Sequence, residues 1–417
     1  ILPNELDKVA MSLPTPKVEI GFDLTESPIG PFLRLGDPEA GKLDSPDNRL
    51  AGPFFYDITD RVVNITSTRG RPSVFSGFPA GQISIELNNH DRAFDPLFLD
   101  SPFYGNIVPR REIRLSFGTD RVFSGWIEDW DLNYLPDGDS TVMATGFDAF
   151  YIIAGQTLDA FTPSVETADS RINTILSRPG VDWPVDLRDL EVSTQNMGTQ
   201  AIEDGTSAFT YLQNIAQSEP GEVFVNKAGS VAFRNRDTYP TSDGLITLGD
   251  GGISIDNLRV VYGAEQLFNE VTISRKDGGT AIASDIASQS AYGIRAYSDS
   301  DLLVETDDQV AAIAVDYASR FSQPEYRIES TQVDVQKLSD LNKANVLGLE
   351  LGDVVKFVFT PNNIPPAITK YLRVINIEHS VTTSTHYITF GFKEITYAPL
   401  VLDDAVFGIL DEARLGR

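Results

Sequence analysis

Gln82-Ile83-Ser84-Ile85-Glu86-Leu87 alternates strictly, with Ile83, Ile85 and Leu87 on one side and polar residues on the other. Successive side chains of an extended strand point to opposite faces, so this stretch reads as a strand with one face on a core. Similar runs surround it: Ile58 to Ile65, Glu112 to Phe117, Val122 to Tyr134 and Thr141 to Phe147, each bounded by turn residues. Short alternating strands at such spacing predict an antiparallel β-domain, a sandwich or a small barrel.

Working outward, residues 1–52 carry seven Pro among short apolar patches and end in Leu50-Ala51-Gly52, which predicts an extended arm. The first β-domain is assigned to 53–155. From about residue 165 the period becomes helical: Ala168, Ile172, Ile175 and Leu176 share a face, and so do Phe209, Leu212, Ile215 and Ala216. Val223 and Val225, the turn Asn226 to Gly229, and Val231 and Phe233 then read as a hairpin, so 156–237 is a small α+β insertion. A second β-domain covers 238–275 and 328–397. It is interrupted at 276–327 by a helical insertion whose helix opens with Thr306 and Gln309 spaced as a capping box. Residues 398–417 form a tail. Two β-domains with embellishments at matching places suggest an internal duplication, although no residue-level repeat links them.

One short repeat is visible. Leu33, Leu35, Asp37, Gly41, Leu43 and Asp44 recur without gaps at Leu400, Leu402, Asp404, Gly408, Leu410 and Asp411. These segments are too short to fold alone, so their leucines need another surface, and the two are expected to be copies of one partner-docking element.

The 417 residues are 41% hydrophobic and 22% charged, near globular averages, and allow two to four domains. No apolar run reaches the roughly 18 residues of a spanning helix. The first residues show no basic stretch followed by an apolar one, so no secretion signal is expected. With 60 acidic against 33 basic side chains, the net charge of −27 disfavours sequence-independent DNA binding through a basic surface. Cys is absent, which removes disulfides, thiolate metal sites and Cys nucleophiles. His90, His379 and His386 are the only histidines, so the usual general base and transition-metal ligand are scarce.

No phosphate-binding glycine loop, His-Glu-x-x-His, Gly-x-Ser-x-Gly or EF-hand pattern occurs. In Trp126-Ile127-Glu128-Asp129-Trp130-Asp131, Glu128 is expected on one strand face with Trp126 and Trp130. That would suit a sugar cleft, but a second carboxylate is missing, and an acidic face beside packed Trp residues is the expected outcome. Asn88 to Pro96 concentrates oxygens, including Asp91 and Asp95, without a recognised calcium spacing, and reads as a self-bonded turn. His379 and His386 fall on neighbouring strands as a cross-strand pair without a third ligand. No catalytic, cofactor or metal residues are assigned.

A broader resemblance exists. Gly52 to Val62, Arg69-Gly70-Arg71, Ala80 to Pro96, Asn106 to Leu115 and Phe123 to Asp129 together resemble minor tail proteins of long non-contractile-tailed phages of actinobacteria, specifically the tail-tip hub, the counterpart of the baseplate hub. Ala208 to Arg234 is similar to the hub's helix and hairpin, and Leu349-Glu350-Leu351-Gly352-Asp353 to its last barrel. The resemblance spans about residues 20–417.

It implies a mainly β fold with two β-barrel tube domains and inserted small α+β domains, in a homotrimer whose six barrels form a pseudo-sixfold ring. It implies a virion protein, assembled in the host cytoplasm, that joins the hexameric distal tail ring to the trimeric tip. Its partners would be that ring, the C-terminus of the tape-measure protein, other tip proteins, and DNA passing through the channel without specific binding. No enzymatic activity and no cofactor are expected. The alternatives are the distal tail protein of the same tip, a hexamer with one tube domain, or a carbohydrate-binding or cell-wall-degrading tip protein.

Overall fold

The computed structural model describes residues 15–22, 54–136, 138–235 and 246–395. The two repeated leucine segments, from Leu33 to Leu43 and from Leu400 to Leu410, lie outside the described residues.

The chain opens with β1 (Pro16–Phe22) and β2 (Phe54–Asp57), then β3 (Val62–Gly70), β4 (Gln82–Asn88), β5 (Arg111–Phe117), β6 (Asp120–Tyr134) and β7 (Ser140–Phe147). Helix α1 (Ala149–Ala154) leads into the first insertion. It holds β8 (Thr157–Leu158), β9 (Glu166–Thr167), α2 (Ala168–Leu176), β10 (Arg188–Leu190), β11 (Asn196–Met197), β12 (Thr206–Ser207), α3 (Ala208–Ser218), β13 (Glu222–Val225) and β14 (Val231–Arg234). The second half begins with β15 (Ile246–Gly249) and β16 (Asn257–Gly263). Its insertion contains β17 (Glu270–Arg275), β18 (Thr280–Ser284), α4 (Ile286–Tyr292), β19 (Ala296–Leu302) and α5 (Asp307–Phe321). It closes with β20 (Glu325–Asp334), α6 (Asp340–Gly348), β21 (Val354–Phe359), β22 (Ile368–Thr382) and β23 (His386–Glu394).

Thirteen strands make one sheet, in the order β16-β20-β23-β22-β3-β4-β7-β6-β5-β1-β2, with β21 on β22 and β15 on β21. The two halves meet where β3 pairs antiparallel with β22. The fold is mainly β with α+β insertions, as the sequence implies. The expected closed barrels are not present: among the described residues no pairing joins the ends of either half, and the halves share hydrogen bonds with each other instead.

Three further expectations change. Residues 16–22, assigned to the arm, form a strand between β2 and β5, because Val18, Ile20 and Phe22 alternate onto the core and are fully buried. Residues 270–275, assigned to the second barrel, pair as β17 with β18 and β19 in a separate sheet. The second insertion is therefore α+β, and α5 covers its sheet with Val310, Ile313, Ala314 and Ala318 around a core of its own. The expected capping box on Thr306 and Gln309 starts α5. α2, α3 and the β13–β14 hairpin also form where periodicity put them.

A duplication does link the halves, in pairing rather than in identity. β3, β4, β7, β6 and β5 are hydrogen-bonded in that order, and so are β16, β20, β23, β22 and β21, all antiparallel. β6 skips a residue against β7 between Ile127 and Asp129, and β22 skips one against β23 between Val374 and Asn376. Just before β5, Arg110 has φ 69° and donates to the Ile127 carbonyl; just before β21, Gly352 has φ 92° and donates to the Val374 carbonyl. These coincidences fix the equivalence residue by residue. The sixth strand differs, since β1 runs antiparallel to β5 while β15 runs parallel to β21, and β2 on β1 has no counterpart among the described residues.

Candidate functional site

The joint between the halves is where the first insertion lands. β3 ends in Arg69-Gly70-Arg71 alongside β22. Gly70 has φ 112°, and a Cβ there would stand 2.2 Å from the Ile375 carbonyl oxygen, so only glycine lets β22 approach this closely. Arg69, 4% exposed, donates to Glu350 at 2.7 Å, although the two are 281 residues apart. Glu350 uses its other oxygen to accept the backbone N–H of Lys227 at 2.8 Å, at the tip of the β13–β14 hairpin. The same tip accepts a hydrogen bond from Ser124 of β6 through the Lys227 carbonyl, at 3.0 Å. One hairpin turn thus pins both halves.

Beside it, Arg71 donates to Glu222 of β13 at 2.6 Å, with both side chains buried, and Arg373 of β22 stands 3.9 Å from the second Glu222 oxygen. Burial opposes ionisation of Glu222, but Arg71, Arg373 and Lys393 outweigh it and hold the carboxyl below its ordinary range. Lys393 is pushed down to about 8 by its own burial, against the pull of Glu222. On the far side of β4, Asp148 caps α1 by accepting from Phe150 at 3.0 Å and also accepts from Gly81 at 2.7 Å. Burial raises it to about 7 despite those donors. The cluster has ion pairs and caps but no nucleophile held by a base.

The residues singled out in the sequence are dispersed. The skipped residue in β6 reverses the alternation after Ile127, so Trp130 joins the Ile127 face and Trp126 does not. Trp126 packs edge-on against Trp183 of the first insertion, and Trp130 stacks on Phe94. Glu128 is engaged by Arg110 at 2.8 Å. The expected shared face of Trp126, Glu128 and Trp130 is therefore corrected, and with it goes the sugar cleft. In the loop after β4, Asp91 binds Arg61 through both oxygens at 2.8 Å. Asp95 accepts from Arg92, Tyr134 and the Leu97 N–H. Those oxygens serve the turn.

His379 Nδ1 lies 3.2 Å from His386 Nε2, both rings buried, and Phe117 of β5 stacks on His386 at 4.3 Å. Burial pushes His379 well below 6.5 and His386 to about 4, so the pair is neutral. Among the described residues no group of three or more His, Asp or Glu is placed to hold a metal. No local pattern in the sequence marks the joint. Arg69, Arg71, Glu222 and Glu350 all lie in the quoted family-like motifs, and the pairing of their charges becomes visible only when the strands are paired.

In fold the chain is similar to solved tail proteins. A tail protein from Neisseria meningitidis MC58 aligns over 91% of this chain and 96% of its own, at a TM-score of 0.60 and 11% identity. The 43 kDa tail protein of prophage MuSo2 from Shewanella oneidensis aligns over 90% and 98%, at 0.54 and 14%. An E. coli component of the type VI secretion system, described as similar to T4 bacteriophage tail proteins, aligns over 81% and 76%, at 0.50 and 10%. No family model and no curated protein matches the chain.

Proposed function

We propose that this protein is a structural hub of a phage tail tip. It is a homotrimer that joins the hexameric distal tail ring to the threefold tip and surrounds the tape-measure end and the DNA channel. The observation that carries this reading is the duplicated five-strand unit: one chain supplies two quasi-equivalent units, so three chains present six to a hexameric ring. The likeness to tail proteins in fold supports it. The distal tail protein, with one such unit per chain, fits a doubled sheet less well.

The chain assembles in the host cytoplasm and ends in the virion. Its acidity suits a channel, since carboxylates do not retain phosphate as a basic bore would. The two leucine segments, 33–44 and 400–411, serve as six docking elements per trimer. No step of chemistry is assigned. A reconstruction of the tail tip should show three copies around an acidic channel, and the purified protein should leave cell-wall polymer intact. Six copies per particle, a basic channel, or cleavage lost on Glu128→Gln would refute the reading.

A further inference from the structure

The joint inside the chain is also a template for a contact between chains. β22 is flanked on one side first by β21, along Ile368–Arg373, and then by β3, along Asn376–Thr382. Its equivalent, β6, is flanked on that side by β5 only along Asp120–Ile127. Among the described residues no strand pairs with that side of β6 from Asp129 to Tyr134. Conversely β16, the equivalent of β3, has β20 on one side and no described strand on the other. Each chain thus has one open donor edge and one open acceptor edge of the kinds it joins internally.

We infer that β16 of one copy pairs antiparallel with the open stretch of β6 in a second copy, in the register of β3 on β22. This rests on the hub reading for the number of copies, not for the contact. The register follows from shared neighbours. Ile377 stands opposite Phe390 of β23 as Trp130 stands opposite Ala144 of β7, and Asn64 opposite Glu86 of β4 as Asn257 stands opposite Gln332 of β20. Carrying the internal pairs Ile377 with Arg69, His379 with Ser67 and Ser380 with Thr66 across gives three contacts. Trp130 faces Tyr262, Leu132 faces Val260, and Asn133 faces Arg259 of the second copy.

The side chains suit such a contact. Tyr262 is 69% exposed and Tyr134 51%, whereas their internal counterparts Arg69 and Val381 are 4% and 6% exposed. Where the internal joint sets buried Arg69 against half-buried Glu350, the open one offers Tyr262 opposite Trp130 and Val108, the position equivalent to Glu350, which is itself exposed. Long unpaired edges carrying exposed aromatics are aggregation sites unless something covers them. Donor and acceptor edges differ, so copies meet head to tail and close as a ring rather than as a two-fold dimer.

The chain has no cysteine, which makes the register testable by disulfide formation. Asn133→Cys and Arg259→Cys, both exposed positions, are introduced together and the protein is oxidised. A ladder ending at trimer, collapsed by reductant, is expected on a non-reducing gel. Asp129→Cys with Arg259→Cys, four residues out of register, should give little linkage. Tyr262→Asp should lower the native mass from threefold to one times 45.7 kDa without moving the melting temperature, since this side chain is exposed in the single chain. A trimer with no linkage between positions 133 and 259, and indifferent to Tyr262→Asp, overturns the edge pairing and leaves the hub reading. Linkage that runs on past trimer supports the edge pairing and overturns the threefold reading. A monomer at high concentration with no linkage overturns both.

Discussion

Glu222→Gln should be among the most damaging single changes at the joint. Glu222 is the acid that faces Arg71 at 2.6 Å and Arg373 at 3.9 Å, with Lys393 also acting on it, and it is buried on β13. Removing its charge while keeping its shape leaves cations in a dry site, and breaking a buried pair in this way costs about 3–5 kcal/mol. Lys393 is already held at about 8 and loses the acid that pulls it upward, so it discharges and relieves part of the loss. We therefore expect the lower end, about 3 kcal/mol at pH 7. The pH dependence is a second signature. The Glu222 carboxyl lies below its ordinary value of 4.5, so its stabilisation is complete above that value and is lost as pH falls through the lowered one. Urea unfolding followed by circular dichroism at pH 7 and at successively lower pH should show the variant's deficit shrinking in acid. A deficit under about 1 kcal/mol at pH 7, the size of an exposed pair, would mean that Glu222 does not neutralise buried cations, as would one unchanged by acid.

Asp148 has the opposite sign. Its carboxyl is raised from 3.8 to about 7, so the folded chain keeps a proton that the unfolded chain gives up, and stability falls as pH rises across that window. Asp148→Asn should remove a slope worth about 4 kcal/mol over that range, measured as melting temperature against pH. A slope unchanged in the variant would show that another group carries it. Gly70→Ala forces a side chain against the Ile375 carbonyl at a left-handed φ, and should destabilise by about 3 kcal/mol or more. Gly263→Ala, whose added Cβ meets only Val261 at 4.0 Å, should leave the melting temperature of the single chain unchanged. Equal losses in the two variants would contradict the close approach at the joint.

Local features were legible in the sequence. Alternation placed β4 and most strands of the first half, the 3.6-residue period placed α2 and α3, and the Thr306–Gln309 spacing marked where α5 starts. These signals survive because each depends on residues within a turn or two of one another. The quoted motifs Arg69-Gly70-Arg71 and Leu349 to Asp353 also pointed to the right stretches, without a reason for their charges. The order of the strands came from long-range pairing. Pro16–Phe22 looked like part of an arm because its strand neighbours begin at Phe54 and Arg111, and 270–275 looked like barrel because alternation does not say which sheet a strand joins. The duplication is invisible in identities, since Ile113, Arg114 and Leu115 correspond to Val355, Lys356 and Phe357, and a sheet needs only matching size and face at those places. A single skipped residue at Glu128 reversed the faces of Trp126 and Trp130, a change of parity that pairing imposes. Arg69 and Glu350 became partners for the same reason: buried charges are chosen by what the fold brings within 3 Å, and here it spans 281 residues of chain.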